Sequence, residues 1–137
     1  MKGGAGLEYR IDPYPSYGDL NTLWLAAWGS PAPHSLATIL SRSLAHVCAY
    51  EEDRIIGFVN VAWDGGGHAF ILDTCVHPHH RRQGIASQLI QDATTLSRQR
   101  GAHWLHVDFE PHLETLYRKC GFRHTAAGLI SLRSHTS

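Results

Sequence analysis

The spacing of apolar residues along the chain predicts a sheet protein interrupted by helices. Leu7 to Ile11 can form a first strand, after which "DPYPS" breaks the pattern. Within "YGDLNTLWLAAWG" the apolar residues recur at helical spacing, and Gly29 followed by Pro31 ends the helix. A second short helix is predicted in "HSLATILSRSL".

The middle of the chain is rich in residues that favour strands. "HVCAYEED" and "RIIGFVNVAW" are separated by acidic turn residues, and "DGGG" marks a hairpin before "HAFILDTCV". These three runs predict consecutive antiparallel strands. In "QGIASQLIQDATTLSRQRG", Ile85, Leu89, Ala93 and Leu96 share one helical face, and Gly101 ends the helix.

The last third of the chain continues this alternation of strands and helices. "HWLHVDFE" predicts a strand, "PHLETLYRKCG" a short helix opened by Pro111, and "LISLR" a last strand. The strand–helix–strand unit at 68–109 requires two parallel neighbours joined by a right-handed crossover. The fold class is therefore α/β or α+β with a mixed sheet.

Composition restricts the domain count and the partners. A chain of 137 residues with 43% hydrophobic content predicts one domain over 1–137, with flexible ends at 1–6 and 134–137. Lys and Arg number 12 against 12 Asp and Glu, so no overall charge attracts nucleic acid or anionic lipid. Without a run of about 18 apolar residues or a secretory signal, we expect a soluble, cytoplasmic protein with no membrane partner.

The stretch "VHPHHRRQGIA" at 76–86 is the densest cluster of chemistry in the chain. His77, His79 and His80 are close enough for two to share an ion, but no rigid H-x-x-x-H pair completes a catalytic zinc site. Solvated loop histidines are the better interpretation, and no metal is expected. The three cysteines are widely spaced and lack a C-x-x-C pair, so they are interpreted as reduced thiols.

An anion site explains the order of elements in this stretch better. A buried strand ends at Val76, the loop carries Arg81 and Arg82, and Gly84 stands where a helix begins. The unpaired N–H groups of a first helical turn and the helix dipole together receive phosphate. Neither G-x-x-x-x-G-K-[ST] nor G-x-G-x-x-G occurs, which excludes a nucleotide triphosphatase and a Rossmann site.

These residues resemble the GNAT superfamily of acyl-CoA-dependent N-acetyltransferases. Its signature, [RQ]-x-x-G-x-[GA] after a strand ending in V-x-P, is matched by Arg81, Gly84 and Ala86. "LYRKCGF" at 116–122 looks like the family's L-Y-x-x-x-G-F segment. The resemblance implies a GNAT-like mixed, mostly antiparallel sheet with helices on both faces and a β-α-β acyl-CoA-binding core. It also implies acetyl-CoA as co-substrate.

In that family the signature-loop amides hold the diphosphate of coenzyme A, and the pantetheine arm pairs with the end of the preceding strand. The cofactor-binding residues so implied are Thr74, Cys75, Val76, Arg81, Arg82, Gln83, Gly84, Ile85, Ala86 and Ser87. A nucleophilic Cys75 is an alternative, but no Cys–His pairing is visible in the sequence and the family transfers the acyl group directly. A small buried hydrophobic residue is the better account of Cys75.

The resemblance also suggests the catalytic residues. Tyr117 matches the tyrosine that protonates the departing thiolate in many members. In "WLHVDF" strict alternation places His106 and Asp108 on the face opposite the apolar residues. His106 is the first choice for the base, since an imidazole titrates in the useful range, and Asp73 is the second. Leu72 stands where many members have glutamate, and "EPH" at 110–112 where many have an asparagine.

The sequence thus predicts an N-acetyltransferase that moves an acetyl group from acetyl-CoA to a primary amine by direct attack in a ternary complex. The alternative is a non-catalytic acyl-CoA-binding or regulatory module of the same fold. The acceptor is a small-molecule amine or a protein N-terminus or lysine, and similar proteins commonly form homodimers. Trp24, Trp28, Tyr14 and Tyr17 either line the acceptor pocket or, for the two tryptophans, form a core-facing stripe.

Overall fold

The structure of the protein, a computed structural model, describes residues 6–133. The predicted flexible ends therefore lie outside the described residues, apart from Gly6. The chain divides into two compact units, Met1–Val107 and Asp108–Ser137, which are treated in turn, and the expectation of a single domain stays a prediction. Among the described residues, no helix has the length and apolar character needed to cross a membrane.

The first unit is built on a five-stranded sheet with the order β1-β2-β3-β4-β5. The strands are β1 (Leu7–Ile11), β2 (Ala45–Glu51), β3 (Arg54–Trp63), β4 (His68–Val76) and β5 (Trp104–His106), and the helices are α1 (Tyr17–Trp28), α2 (Leu36–Arg42) and α3 (Ile85–Gln99). The first four strands pair antiparallel, and β4 pairs parallel with β5. This mixed, mostly antiparallel sheet confirms the predicted fold class.

The first helix begins and ends as its sequence predicts. The Ser16 side chain accepts a hydrogen bond from the Asp19 amide and so caps the start of α1. At the other end, Gly29 adopts the left-handed conformation with a φ of 74°, and its amide bonds to the carbonyl of Leu25. Leu20 and Leu23 are buried, which fixes α1 onto the sheet.

The two faces of the sheet carry different helices because successive strand residues point to opposite sides. Phe58 lies in a buried cluster formed with residues of α1, α2 and the neighbouring strands. Its neighbour Gly57 faces the first turns of α3, where Ile85 and Leu89 are fully buried. One face of the sheet is thus covered by α1 and α2, and the other by α3.

A fully buried histidine, His46, links the start of the sheet to the end of α3. Its Nε2 accepts a hydrogen bond of 3.1 Å from the Tyr14 amide, so the neutral ring carries its proton on Nδ1, 3.5 Å from Asp12. Arg100 donates to the same carboxylate at 2.8 Å. Burial is the main cause that lowers the pKa of His46, and the charge of Arg100 adds to it, while the charge of Asp12 opposes both.

We expect the protein to lose stability as the pH falls below about 6.5, the ordinary pKa of histidine. Because the folded-state pKa of His46 is lowered, the unfolded chain binds the proton first, so the full stability is present only above that pH. His46→Gln keeps an acceptor and does not titrate, so its melting temperature should fall less between pH 7.5 and 5.5. If the melting temperatures of the wild type and His46→Gln fall by the same amount over this pH range, His46 is not the group responsible for the loss of stability.

The second unit contains a 3₁₀ turn at Pro111–Leu113 and the helix α4 (Glu114–Lys119). The predicted last strand "LISLR" is wrong, since residues 122–132 form neither helix nor strand, and Leu129, Ile130 and Leu132 are more than 80% exposed. The strand predicted at 103–110 is too long, because only the residues of β5 form a strand there. The local pattern suits a strand, but a strand needs a hydrogen-bonded partner, and among the described residues the second unit has none.

Candidate functional site

The loop after β4 changes into α3 through two residues with left-handed backbone. Arg82 has a φ of 65° and Gly84, the residue that precedes the helix, a φ of 79°. Before them, a 3₁₀ turn at Pro78–His80 is capped by His77, whose Nδ1 accepts from the His79 amide. Only glycine adopts such a φ without strain, so the glycine of the signature is required by the turn itself.

Among residues 6–133, the amides at this helix start have no hydrogen-bond partner. The first helical hydrogen bond of α3 that reaches back to the loop runs from the Gln88 amide to the carbonyl of Gly84, at 3.1 Å. In the part of the chain that the structure describes, no backbone hydrogen bond is donated by residues 81–87, and no side chain caps the helix. With the positive end of the helix dipole, such donors are suited to receive an anion, and the anion site itself stays a prediction.

A second glycine, Gly57 on β3, allows α3 to lie close to the sheet. A Cβ at this position would be 3.0 Å from Cγ2 of Ile85 and 3.1 Å from Cδ1 of Leu89. It would also be 3.3 Å from Cβ of Ala49 on the neighbouring strand. The missing side chain of Gly57 therefore allows the short distance between the start of α3 and the sheet. This role of Gly57 was not predicted from the sequence, although an isolated glycine inside an apolar strand is a signal of close approach.

We expect Gly57→Ala to destabilise the protein by about 1–3 kcal/mol, because the added methyl group overpacks a site without free space. The two contacts on α3 belong to fully buried side chains that cannot move aside. Urea unfolding measures the change. Gly18→Ala in α1 is the matched control, since nothing lies within 4 Å of its added Cβ. Equal stability of the two variants would contradict the close packing of α3.

A β-bulge interrupts β4 just before its end. Phe58 pairs with Cys75 but Asn60 pairs with Leu72, so two residues of β4, Asp73 and Thr74, lie opposite one residue of β3. Asp73 has a φ of 58°. The residue is exposed at the surface, yet the atoms around its carboxyl desolvate it and raise its pKa. The hydroxyl of Thr74 is buried without a hydrogen-bond partner among the described residues.

The strands β4 and β5 pair over only three residues. The last pair is Phe70 with His106, and from Ile71 to Val76 the edge of β4 away from β3 has no strand partner among the described residues. This open edge ends where the loop toward α3 begins. An extended molecule with amide groups could add to it as an extra strand.

Cys75 lies on this segment with its side chain in the core. It belongs to the buried cluster around Phe58, as does Cys48 on β2. Burial raises the pKa of both thiols to about 12, so neither forms a thiolate at neutral pH. The nearby Asp73 charge raises the pKa of Cys75 further. The structure thus supports the interpretation of Cys75 as a small buried hydrophobic residue.

The two candidate bases lie apart along the sheet. Asp73 is in the bulge, whereas His106 is paired with Phe70, whose ring stacks on the imidazole at 4.6 Å. No described hydrogen bond or ring contact joins Asp73 and His106. His106 is instead hydrogen-bonded to His68, at 2.8 Å between ring nitrogens. Sequence reasoning missed His68, because only the register of β4 and β5 places it beside His106.

In the second unit, Tyr117 is buried between aromatic rings. Phe109 stacks on it with centroids 4.8 Å apart, and Phe122 meets it edge-on at 5.7 Å. These residues line a cavity of about 310 Å³. Its remaining lining residues are Glu114, Arg118, Arg123 and His124. A phenol in a cavity lined by both aromatic and charged side chains is suited to contact a partly polar ligand.

Two of the three loop histidines make hydrogen bonds within the protein's own structure through their side chains. His77 caps the 3₁₀ turn, and Nε2 of His80 lies 3.0 Å from the carboxylate of Glu51 on β2. Burial is the first cause that lowers the pKa of His77, and its cationic neighbours add to it. Within residues 6–133, no three histidine, cysteine, aspartate or glutamate side chains are arranged to hold a metal ion.

The aromatic residues proposed for the acceptor pocket separate into two groups. Trp24 is buried against Phe58, with ring centroids 5.8 Å apart, so it belongs to the core. Trp28 and Tyr14 are about half exposed, at 45% and 59%. The Tyr17 hydroxyl donates to a backbone carbonyl in the loop after α1. Only the exposed rings are thus available to a ligand.

Comparison with protein families gives one match across these elements. The family model described as an acetyltransferase (GNAT) domain matches residues 42–124, from the end of α2 to a point beyond α4. The mycothiol acetyltransferase of Mycolicibacterium vanbaalenii is 33% identical over 66 residues. That match covers 48% of this chain and only 22% of the relative's length.

Solved structures show the same fold over almost the whole chain. A probable acetyltransferase from methicillin-resistant Staphylococcus aureus superposes with a TM-score of 0.80 at 23% identity, covering 93% of this chain and 99% of the other. A GNAT family acetyltransferase from Streptococcus pneumoniae gives a TM-score of 0.78 at 24% identity, with 94% and 99% covered. At such low identities these two structures establish the fold alone.

Proposed function

This chain belongs to the GNAT acetyltransferases, and on that basis we propose that it moves an acetyl group from acetyl-CoA to a primary amine. One observation carries the proposal. The open edge of β4 leads directly to a helix start whose amides are unpaired among the described residues. Acetyl-CoA has its groups in the same order: its extended pantetheine arm would pair with the open edge, and its diphosphate would reach the amides of the helix start.

The residues on this path suit acetyl-CoA, which supplies the thioester carbonyl that the amine attacks. Thr74, Cys75 and Val76 offer backbone groups on the open edge, and the hydroxyl of Thr74 is buried and unsatisfied, as a group awaiting a ligand would be. The amides from Arg82 to Ser87 would receive the diphosphate. Arg81 and Arg82 would add charge-assisted hydrogen bonds.

Proton transfer is assigned to three side chains. His106 is the last residue of β5 before the strands stop pairing, so it borders the start of the open edge and is our choice for the base. Asp73 is the second choice, because its raised pKa makes its carboxylate a better base than an ordinary aspartate. Tyr117 is proposed as the acid for the thiolate, a role that comes from its place in the family's L-Y-x-x-x-G-F segment.

The acceptor is proposed to be a small-molecule amine or an amine of a protein, and no metal takes part. Attack by a primary amine in a ternary complex needs positioning and loss of one proton, which the binding path and the base would provide. A homodimer, a cytoplasmic location, and the lack of nucleic-acid and membrane partners stay predictions.

A screen of amines with detection of the released thiol tests the proposal. We expect thiol release that depends on both acetyl-CoA and one class of amine, and calorimetry should show that acetyl-CoA binds without the amine. Binding without turnover for every amine would favour the non-catalytic acyl-CoA-binding module instead. Absence of binding would overturn both functions.

A further inference from the structure

Two imidazole rings meet where β4 and β5 stop pairing. Nδ1 of His68 lies 2.8 Å from Nε2 of His106, and Phe70 stacks on the His106 ring at 4.6 Å. We infer that His68 is a positioning residue, which fixes the ring of His106 so that its other nitrogen faces the acceptor amine. This inference rests on the proposed function, since it concerns the same base.

The sheet register brings the two rings together. His106 is directly opposite Phe70, and His68 lies two residues earlier on β4, on the same face of the sheet. His106 is therefore held by a stacked ring beside it and by a hydrogen bond with its diagonal neighbour, His68. A side chain held in two directions loses less freedom when the reaction begins than one in open solvent.

The hydrogen bond also limits the charge of the pair. One ring must donate an N–H and the other must accept with a lone pair, so the intact pair carries at most one extra proton. With Nε2 of His106 donating to His68, its Nδ1 keeps the lone pair that a base requires. The proton that the amine gives up on attack goes to this Nδ1. No other hydrogen bond of the His106 ring occurs among the described residues.

A carboxylate is held in the turn just before His68. Asp64, in the turn between β3 and β4, accepts from the amides of Gly66 at 2.7 Å and His68 at 3.3 Å. These bonds are the main cause of its lowered pKa, and attraction to His68 adds to it. From the loop before β5, the His103 side chain packs against Gly67, one residue before His68.

Nitrogen-edited NMR of the protein labelled in its histidines tests the pairing without any substrate. At pH 7.5 we expect a protected, downfield N–H signal from Nε2 of His106 that disappears in His68→Phe. His68→Asn places a carbonyl oxygen near the position of Nδ1, so it should restore the signal. His103→Phe is the matched control and should keep it. A signal that survives in His68→Phe would overturn the pairing.

Kinetics test the consequence for the reaction. His68→Phe should lower kcat about tenfold, a part of the 10²–10⁴-fold that a general base supplies, while the KM for acetyl-CoA stays within about twofold. His68→Asn should recover most of the loss, and His103→Phe should retain wild-type kcat. An unchanged kcat in His68→Phe with the signal lost would overturn the positioning role.

The two hypotheses fail in different ways. If His106→Gln has wild-type kcat, the base assignment fails, and with it the role of His68 in the reaction, even where the NMR signal shows the pair. If no amine supports turnover by the wild-type protein, the proposed function fails together with the catalytic part of the inference. The NMR experiment still decides whether the two rings are paired.

Discussion

Gly84→Val is expected to weaken acetyl-CoA binding about a hundredfold, the equivalent of losing one or two charge-assisted hydrogen bonds. Within residues 6–133, and apart from the two adjacent residues, no heavy atom lies within 4 Å of a Cβ at this position, so the new side chain would occupy open space beside the helix-start amides. It would hold a diphosphate away from those donors. Isothermal titration with acetyl-CoA measures the effect.

Strain must be separated from this steric effect, because valine at a φ of 79° is unfavourable wherever it occurs. Gly101 at the other end of α3 is the matched control, with a φ of 100° and equally open space. Gly101→Val should lose similar stability and keep its affinity for acetyl-CoA. A short acetyl thioester without phosphates should be used equally well by wild type and Gly84→Val. Equal loss of acetyl-CoA affinity in both variants would refute the anion site.

Tyr117→Phe is expected to lower kcat with acetyl-CoA about a hundredfold, the lower end of what a general acid contributes. The KM for acetyl-CoA should change less than about twofold, because phenylalanine keeps the ring packed between Phe109 and Phe122. Stopped-flow or steady-state detection of the thiol gives both constants.

A change of leaving group identifies the acid role. An acetyl thioester of an acidic aromatic thiol needs no proton on departure, so wild type and Tyr117→Phe should release that thiol at the same rate. Tyr50→Phe is the matched control, since Tyr50 is buried to a similar extent in the core, at 7% exposure against 5%. It should retain wild-type turnover. Full activity of Tyr117→Phe with acetyl-CoA would remove Tyr117 from the chemistry.

Local pattern was sufficient for most of the first unit. The predicted runs at 7–11, 54–63 and 68–76 coincide with β1, β3 and β4, and the glycines at the helix ends adopt the left-handed conformation that ends or begins a helix. These features depend on neighbours in sequence, through side-chain periodicity and the backbone freedom of glycine. The same reasoning predicted a strand at the end of the chain, where the structure has none.

The candidate site was predicted only in part. The loop at 81–87 was found from its sequence because a strand end, two arginines and a glycine are adjacent along the chain. The bulge at Asp73 and the close approach of α3 to Gly57 depend on which residues lie opposite one another across the sheet. Sequence spacing does not reveal this register.

What the sequence by itself determined is the order of the elements, the family resemblance and the position of the left-handed turn that we propose as the anion site. The tertiary structure decided where β4 loses its neighbour, which thiols are buried and which ring accompanies His106. The physical reason is that side-chain periodicity and the backbone freedom of glycine affect only residues a few positions apart along the chain. The other features arise from contacts between segments far apart along the chain, such as the 38 positions between His68 and His106.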